Sequence, residues 1–241
     1  MAAFFSAFAG YAGAAVDKPA PQAGPVGAFI DKMIEAYGGR DNLAKLNSYV
    51  SIWEMDAVAR AESGRATNYV ELPNKLRVEL EYPAKREARV LNSGSGYKTY
   101  DDSPAEPADG PRLDSMKLQL IRLYTPLVLS NILAFAPDAI TLSEDGGYSL
   151  LTLTAGRLSA IYFVNPASLM IEKVITRLDM SGQIMEFITE YSDIRPEGGV
   201  LMHHMENKFA GGVNTAKLYL REIRLSEKHD ARVFDLTGGR P

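Results

Sequence analysis

Leu76, Val78, Leu80 and Tyr82 alternate with Lys75, Arg77, Glu79 and Glu81, and this period of two predicts a strand with one dry and one wet face. Strands of that kind are antiparallel far more often than parallel. Turn-forming groups recur around it at Glu62-Ser63-Gly64, Leu72-Pro73-Asn74, Tyr82-Pro83 and Asn92-Ser93-Gly94. They predict strands over about 48–60, 64–72, 75–82, 85–92 and 95–101, joined as a meander. Residues 102–111 are polar and Pro-rich and read as a loop. A second series follows at about 139–145, 147–155, 157–164, 169–180, 183–193, 200–209 and 214–226, again divided by turn chemistry such as Asp145-Gly146-Gly147 and Gly211-Gly212.

Two stretches carry the helical period instead. Val26, Phe29, Ile30, Met33, Ile34 and Tyr37 fall on one side of a helix that Gly38-Gly39 stops, and a short piece from Asn42 to Leu46 follows, with Asp41 as its cap. Between the two strand series, Leu113, Met116, Leu120, Leu123 and Leu127 mark helix over 113–135, split by Pro126. The pattern therefore predicts an α+β fold: a single large curved antiparallel sheet of about ten to twelve strands with a few covering helices.

That many one-sided strands offer more apolar surface than two helical stretches cover. If the sheet curls, an underfilled apolar concavity under a helical lid is the expected ligand site. Its expected sheet residues are Trp53, Leu76, Val78, Leu80, Tyr82, Val90 and Phe187, and its expected helical residues are Met116, Leu120, Leu123, Leu127 and Leu133. The competing reading is a solid core filled by Leu, Met and Phe.

Composition narrows the classes. The 241 residues are 46% hydrophobic and 23% charged, enough to bury a substantial core. A net charge of −4 leaves no cationic excess for a phosphate backbone, so no nucleic-acid partner is expected. The absence of Cys removes disulfides, thiolate metal sites, Cys nucleophiles and an acylated N-terminal Cys. Residues 1–16 are apolar and end on small residues, with Ala12-Gly13-Ala14 as a cleavage pattern, and read as a secretory signal peptide. No Lys or Arg precedes Lys18, so a start lying inside a longer signal would account for the missing cationic end. Residues 17–25 form a Pro-rich linker, 26–227 the folded domain and 228–241 a C-terminal tail. Residues 1–16 are too short to span a bilayer, so an exported, soluble protein and not an integral membrane one is expected.

Candidate chemistry is sparse. Strand alternation would send His203 and His204 to opposite faces and leave only His204 beside Glu206, and no third ligand can be placed to close a metal site. A hydrolase or metal enzyme built on His203, His204 and Glu206 is the least favoured alternative. Gly94-Ser95-Gly96 lacks the spacing of a nucleophile elbow, and no phosphate-binding glycine motif occurs. Asp101-Asp102 and Glu144-Asp145 are acidic strand ends. No catalytic residue, metal or cofactor is expected.

Several motifs in order resemble the LolA/LolB-like superfamily of lipoprotein localisation factors. They are Glu71-Leu72-Pro73-Asn74-Lys75-Leu76-Arg77, then Gly94-Ser95-Gly96-Tyr97-Lys98-Thr99-Tyr100, and the strand-turn-strand Tyr162-Phe163-Val164-Asn165-Pro166-Ala167-Ser168. The opening Tyr37-Gly38-Gly39-Arg40 and the late Glu190-Tyr191-Ser192-Asp193 are similar to proteins of the outer-membrane lipoprotein-sorting type. The resemblance covers about 26–227 and implies an unclosed half-barrel wrapped around helices, which sequesters lipid or lipoprotein acyl chains without cofactor or reaction. It also implies envelope transport partners. The lipoprotein carrier has an Arg before its Pro-Asn pair where this chain has Leu72, and the acceptor is anchored by an acylated Cys that this chain lacks. A soluble carrier is thus implied, with a ligand-free envelope scaffold as the alternative.

Overall fold

The computed structural model describes residues 24–101, 103–123, 128 and 139–235. The expected signal peptide and most of the expected linker lie outside them, as do Leu127, Leu133 and the split at Pro126. Among the described residues, strands β1 (Ser48–Ala57), β2 (Glu62–Glu71), β3 (Lys75–Tyr82), β4 (Lys85–Asn92), β5 (Ser95–Tyr100) and β6 (Glu106–Ala108) form one meander. A second meander comprises β7 (Ala139–Asp145), β8 (Tyr148–Ala155), β9 (Leu158–Val164), β10 (Ile171–Asp179), β11 (Ile184–Glu197), β12 (Val200–Ala210) and β13 (Val213–Leu225). The first and last strands pair, Tyr49 opposite Leu225 and Trp53 opposite Leu220, so both meanders join into one antiparallel sheet. Its order runs from β6 down to β1, then β13 down to β7.

Thirteen strands exceed the expected ten to twelve. The additional one is β6, which falls in the polar stretch read as a loop and pairs Gly96 with Ala108 and Lys98 with Glu106. Three residues containing Pro107 carry too little pattern to be seen, and an edge strand tolerates a residue without an N–H.

The two free edges, β6 and β7, flank the segment that carries helix α3 (Gly110–Leu123). This connection has to travel from one edge of the sheet to the other, and α3 lies against β4 and β5 of one wing and β9 and β10 of the other. Gly96 lets it sit down: a Cβ there would lie 2.9 Å from both Leu113 Cδ1 and Met116 Sδ.

Helices α1 (Pro25–Ala36) and α2 (Arg40–Leu43) sit beside the β11–β12 turn. Ile30, Met33 and Ile34 of α1 are buried, each contributing about 1.5 to 3 kcal/mol by leaving water. The Tyr37 carbonyl accepts from the Leu201 N–H at 2.9 Å, and its hydroxyl accepts from the Ile171 N–H at 2.9 Å. The close approach requires Gly38, at φ 118°, whose added Cβ would lie 2.1 Å from the Gly199 carbonyl oxygen.

The sequence read 228–241 as a tail, yet its described part packs on the convex side. Phe234, in the 3-10 turn Ala231–Phe234, is buried beneath Lys75. Arg77 donates to the Val233 carbonyl, Asn92 to the Phe234 carbonyl, and His229 Nε2 to the Val70 carbonyl.

Candidate functional site

The concave face is built from alternate residues of each strand. On β1 to β3, Trp53, Met55, Val70, Leu76 and Val78 are nearly water-free and belong to one continuous core. That core runs across to Leu151, Leu153 and Tyr162 on the other wing and includes Met116, Leu120 and Ile121 of α3. Leu80 and Tyr82 pack at its border, and the guanidinium of Arg60 lies 5.1 Å over the Tyr82 ring. Opposite Leu120 on the helix, Leu118 enters a second, smaller cluster with Leu158 and Leu178, against which Phe187 packs. The helix is therefore a wedge with an apolar contact on either side. Leu123 ends α3, and its side chain lies outside the described residues.

Crevices remain on both flanks of this wedge. The first, about 420 Å³, lies between Leu91 and Pro73 of one wing and Ala155 and Leu158 of the other, with Leu120 and Ile121 as its helical wall. An ion pair between Asp114 and Arg157 crosses beside it. The second, about 430 Å³, has Met116, Leu178 and Met185 on its apolar side and Arg89, Lys98 and Arg112 on its polar side. Of the expected ligand residues, Leu120 lines the first and Met116 the second. Trp53, Leu76 and Val78 line neither, because they are packed in the centre of the core.

Val90 requires a correction. It stands opposite Arg77, on the convex face, whereas Leu91 stands opposite Leu76 on the concave one. The Ala88 and Val90 side of β4 is the one covered by the C-terminal segment; the concave side carries Glu87, Arg89 and Leu91. Glu87 is buried and takes Arg89 Nε at 2.5 Å and Lys98 Nζ at 3.3 Å. Burial alone would raise its pKa, but these cations outweigh it and hold the carboxyl below its usual range.

The histidines differ from expectation too. His203, not His204, meets Glu206, with Nε2 3.4 Å from Oε1, and its ring lies 4.2 Å from that of Tyr191. His204 instead turns to Glu197, at 3.0 Å. Strict alternation fails here because the ladder has a gap where Asp193, at φ 57°, would pair with His204. Glu206 also pairs with Lys208 at 2.9 Å. Burial lowers the His203 pKa, which keeps the ring neutral; burial would raise that of Glu206, but Lys208 and His203 overcome it and keep it ionised. Arg122, at the end of α3, lies 4.6 Å over the Phe187 ring and is lowered to about 10, first by burial. Tyr191 donates to the Arg122 carbonyl at 3.0 Å and so ties the helix end to β11.

These contacts couple β11, β12 and the end of α3. Among the described residues, no group of three His, Asp or Glu could hold a metal ion, and no helix is long and apolar enough to cross a membrane.

No family model and no curated protein matches the chain. Solved structures do. A LolA superfamily protein from Nitrosomonas europaea superposes with a TM-score of 0.56 at 13% identity, over 88% of this chain and 98% of that one. A DUF1329 family protein from Desulfovibrio piger gives 0.54 at 9%, over 89% and 98%. A protein domain assigned to outer membrane lipoprotein sorting, from Vibrio parahaemolyticus, gives 0.51 at 9%, over 86% and 97%. At these identities the likeness is one of fold, a curved sheet with helices.

Proposed function

We propose that this chain, which has the fold of LolA superfamily structures, is a periplasmic carrier that holds the apolar part of a lipid or of a lipoprotein's acyl chains beside α3. The observation that carries the reading is the wedge. Among the described residues α3 lies between the wings, and the crevices of about 420 and 430 Å³ on its flanks each have an apolar portion, Leu91, Leu120, Ile121, Ala155 and Leu158 in the first and Ala108, Met116, Leu178 and Met185 in the second. Such walls gain by receiving apolar chain, and the flexible side chains of Met116 and Met185 suit chains of varied length. A small displacement of α3 would join each crevice to the apolar core beneath it. No reaction is part of the proposal: the ionised Glu206 and neutral His203 are held by packing neighbours, and they serve to fix the helix end.

The test is displacement of a fluorescent acyl probe from the purified chain. Saturable binding at one or two sites, competed by fatty acid or phospholipid, supports a carrier. A chain that binds no probe while remaining folded would contradict it and favour the ligand-free scaffold.

A further inference from the structure

The second crevice is not uniformly apolar. The register that puts Tyr82 opposite Lys85 and Glu87 opposite Tyr100 brings Lys85, Glu87 and Arg89 of β4 and Lys98 and Tyr100 of β5 to the concave face. Lys98 pairs across with Glu106 of β6, and α3 adds Arg112. Three cations that line the crevice, Arg89, Lys98 and Arg112, thus share it with Glu106, while Lys85 lies beside Tyr100 and Glu87 beneath, on a chain whose formal net charge is −4. One carboxylate, Glu87, is almost fully buried and engages both Arg89 and Lys98, so a single negative charge answers two positive ones at the floor. The ammonium groups of Lys85 and Lys98 lie 4.5 and 4.4 Å over the Tyr100 ring, which steadies them without neutralising them. Gln119 accepts from Arg89 at 3.4 Å and fixes its guanidinium beside the helix. Met116, Leu178 and Met185 line the same crevice.

A site that holds more cations than carboxylates beside an apolar portion matches a molecule with an acidic head and an apolar tail. Resting on the carrier reading above, we propose that this crevice is a head-group subsite: Arg89, Lys98 and Arg112 hold the phosphate or carboxylate of an anionic amphiphile while its tail runs along Met116 and Leu178. Guanidinium and ammonium donors match such an oxyanion by charge-assisted hydrogen bonds, and the half-buried Arg89 and Lys98 are screened by salt less than the exposed Arg112. The carrier would then select its cargo by the charge of the head as well as by the length of the tail.

The experiment measures displacement of a neutral acyl fluorophore from the full chain by dodecyl phosphate and by dodecanol, and reads the ratio of the two affinities. The expected ratio is about tenfold or more in favour of the phosphate, shrinking as salt is raised. Arg112→Gln, an exposed position on α3, and Lys98→Gln should each reduce the ratio by about threefold or more, with the thermal melt reporting that both variants fold. Equal affinities in the wild-type chain, or a ratio unchanged in both folded variants, would overturn the head-group subsite while leaving the carrier reading standing. Failure of both amphiphiles to displace the fluorophore would overturn the carrier reading itself. If millimolar inorganic phosphate abolishes the preference, the site belongs to the free anion and the amphiphile assignment is overturned.

Discussion

Leu118 and Leu120 lie on opposite sides of α3, and the account assigns them different work. Leu118 is sealed from water between Leu158 and Leu178 and lines neither crevice. Leu120 is nearly as buried but forms part of the wall of the 420 Å³ crevice. Truncating a buried Leu to Ala costs about 2 to 5 kcal/mol, and the cost grows with the cavity left behind. Leu118→Ala opens a void at a position that lines neither crevice and belongs near the upper part of that range, about 3 to 5 kcal/mol. Leu120→Ala enlarges a space that already exists and so loses fewer contacts, about 2 kcal/mol. For a domain of this size, that is a drop in Tm of about 4 to 8 °C for Leu120→Ala and more for Leu118→Ala. Urea unfolding gives the stabilities, and displacement of a fluorescent acyl probe gives the affinities. Leu120→Ala should change probe affinity by more than its effect on stability accounts for, while Leu118→Ala should leave affinity close to that of wild type. Should Leu120→Ala be the costlier substitution and leave probe binding untouched, the crevice would be an incidental packing defect and the reasoning would fail.

Gly38→Ala should be destabilising by more than 2 kcal/mol, in order of magnitude, because the new Cβ meets a backbone carbonyl at a positive φ, and differential scanning calorimetry would show it. Phe234→Ala should lower stability by about 3 to 5 kcal/mol and expose the C-terminal segment to limited proteolysis at 228–235, whereas an unchanged cleavage pattern would mean the segment is held by other contacts. The pH dependence follows from His203, which Glu206, Lys208, His204 and the Tyr191 ring surround. Its folded pKa is lowered, so its contribution is complete above the unfolded value of about 6.5 and is lost as pH falls below it. Tm should therefore decline from pH 7.5 to 5.5, and His203→Gln should flatten that decline; an identical slope in the variant would show that His203 does not titrate between the two states.

The strands were legible because most of them bury one face, and period-two alternation survives wherever water touches the other. Strand β4 shows the limit. Its apolar Ala88 and Val90 alternate with Glu87 and Arg89, so the local pattern marks the Val90 side as covered, which it is. What the pattern cannot say is that the cover is the C-terminal segment on the convex face, since Ala231–Phe234 contributes a single large side chain and no periodicity. The pairing of His203 with Glu206 was hidden for a different reason. A ladder gap at Asp193 breaks the alternation, and the only local hint was an Asp, a residue that tolerates positive φ. The helical wedge was visible in Met116 and Leu120, but Leu118, on its other side, breaks the one-face reading and could be placed only once both wings were seen to flank the helix.

Native mass spectrometry of protein purified without detergent would weigh any apolar cargo on this chain. The expected spectrum holds a population heavier than the apo chain by the mass of one lipid or acyl chain, which collisional activation releases and which Leu120→Ala reduces. A single species at the apo mass, from a folded preparation that also takes up no added phospholipid or fatty acid, would contradict it.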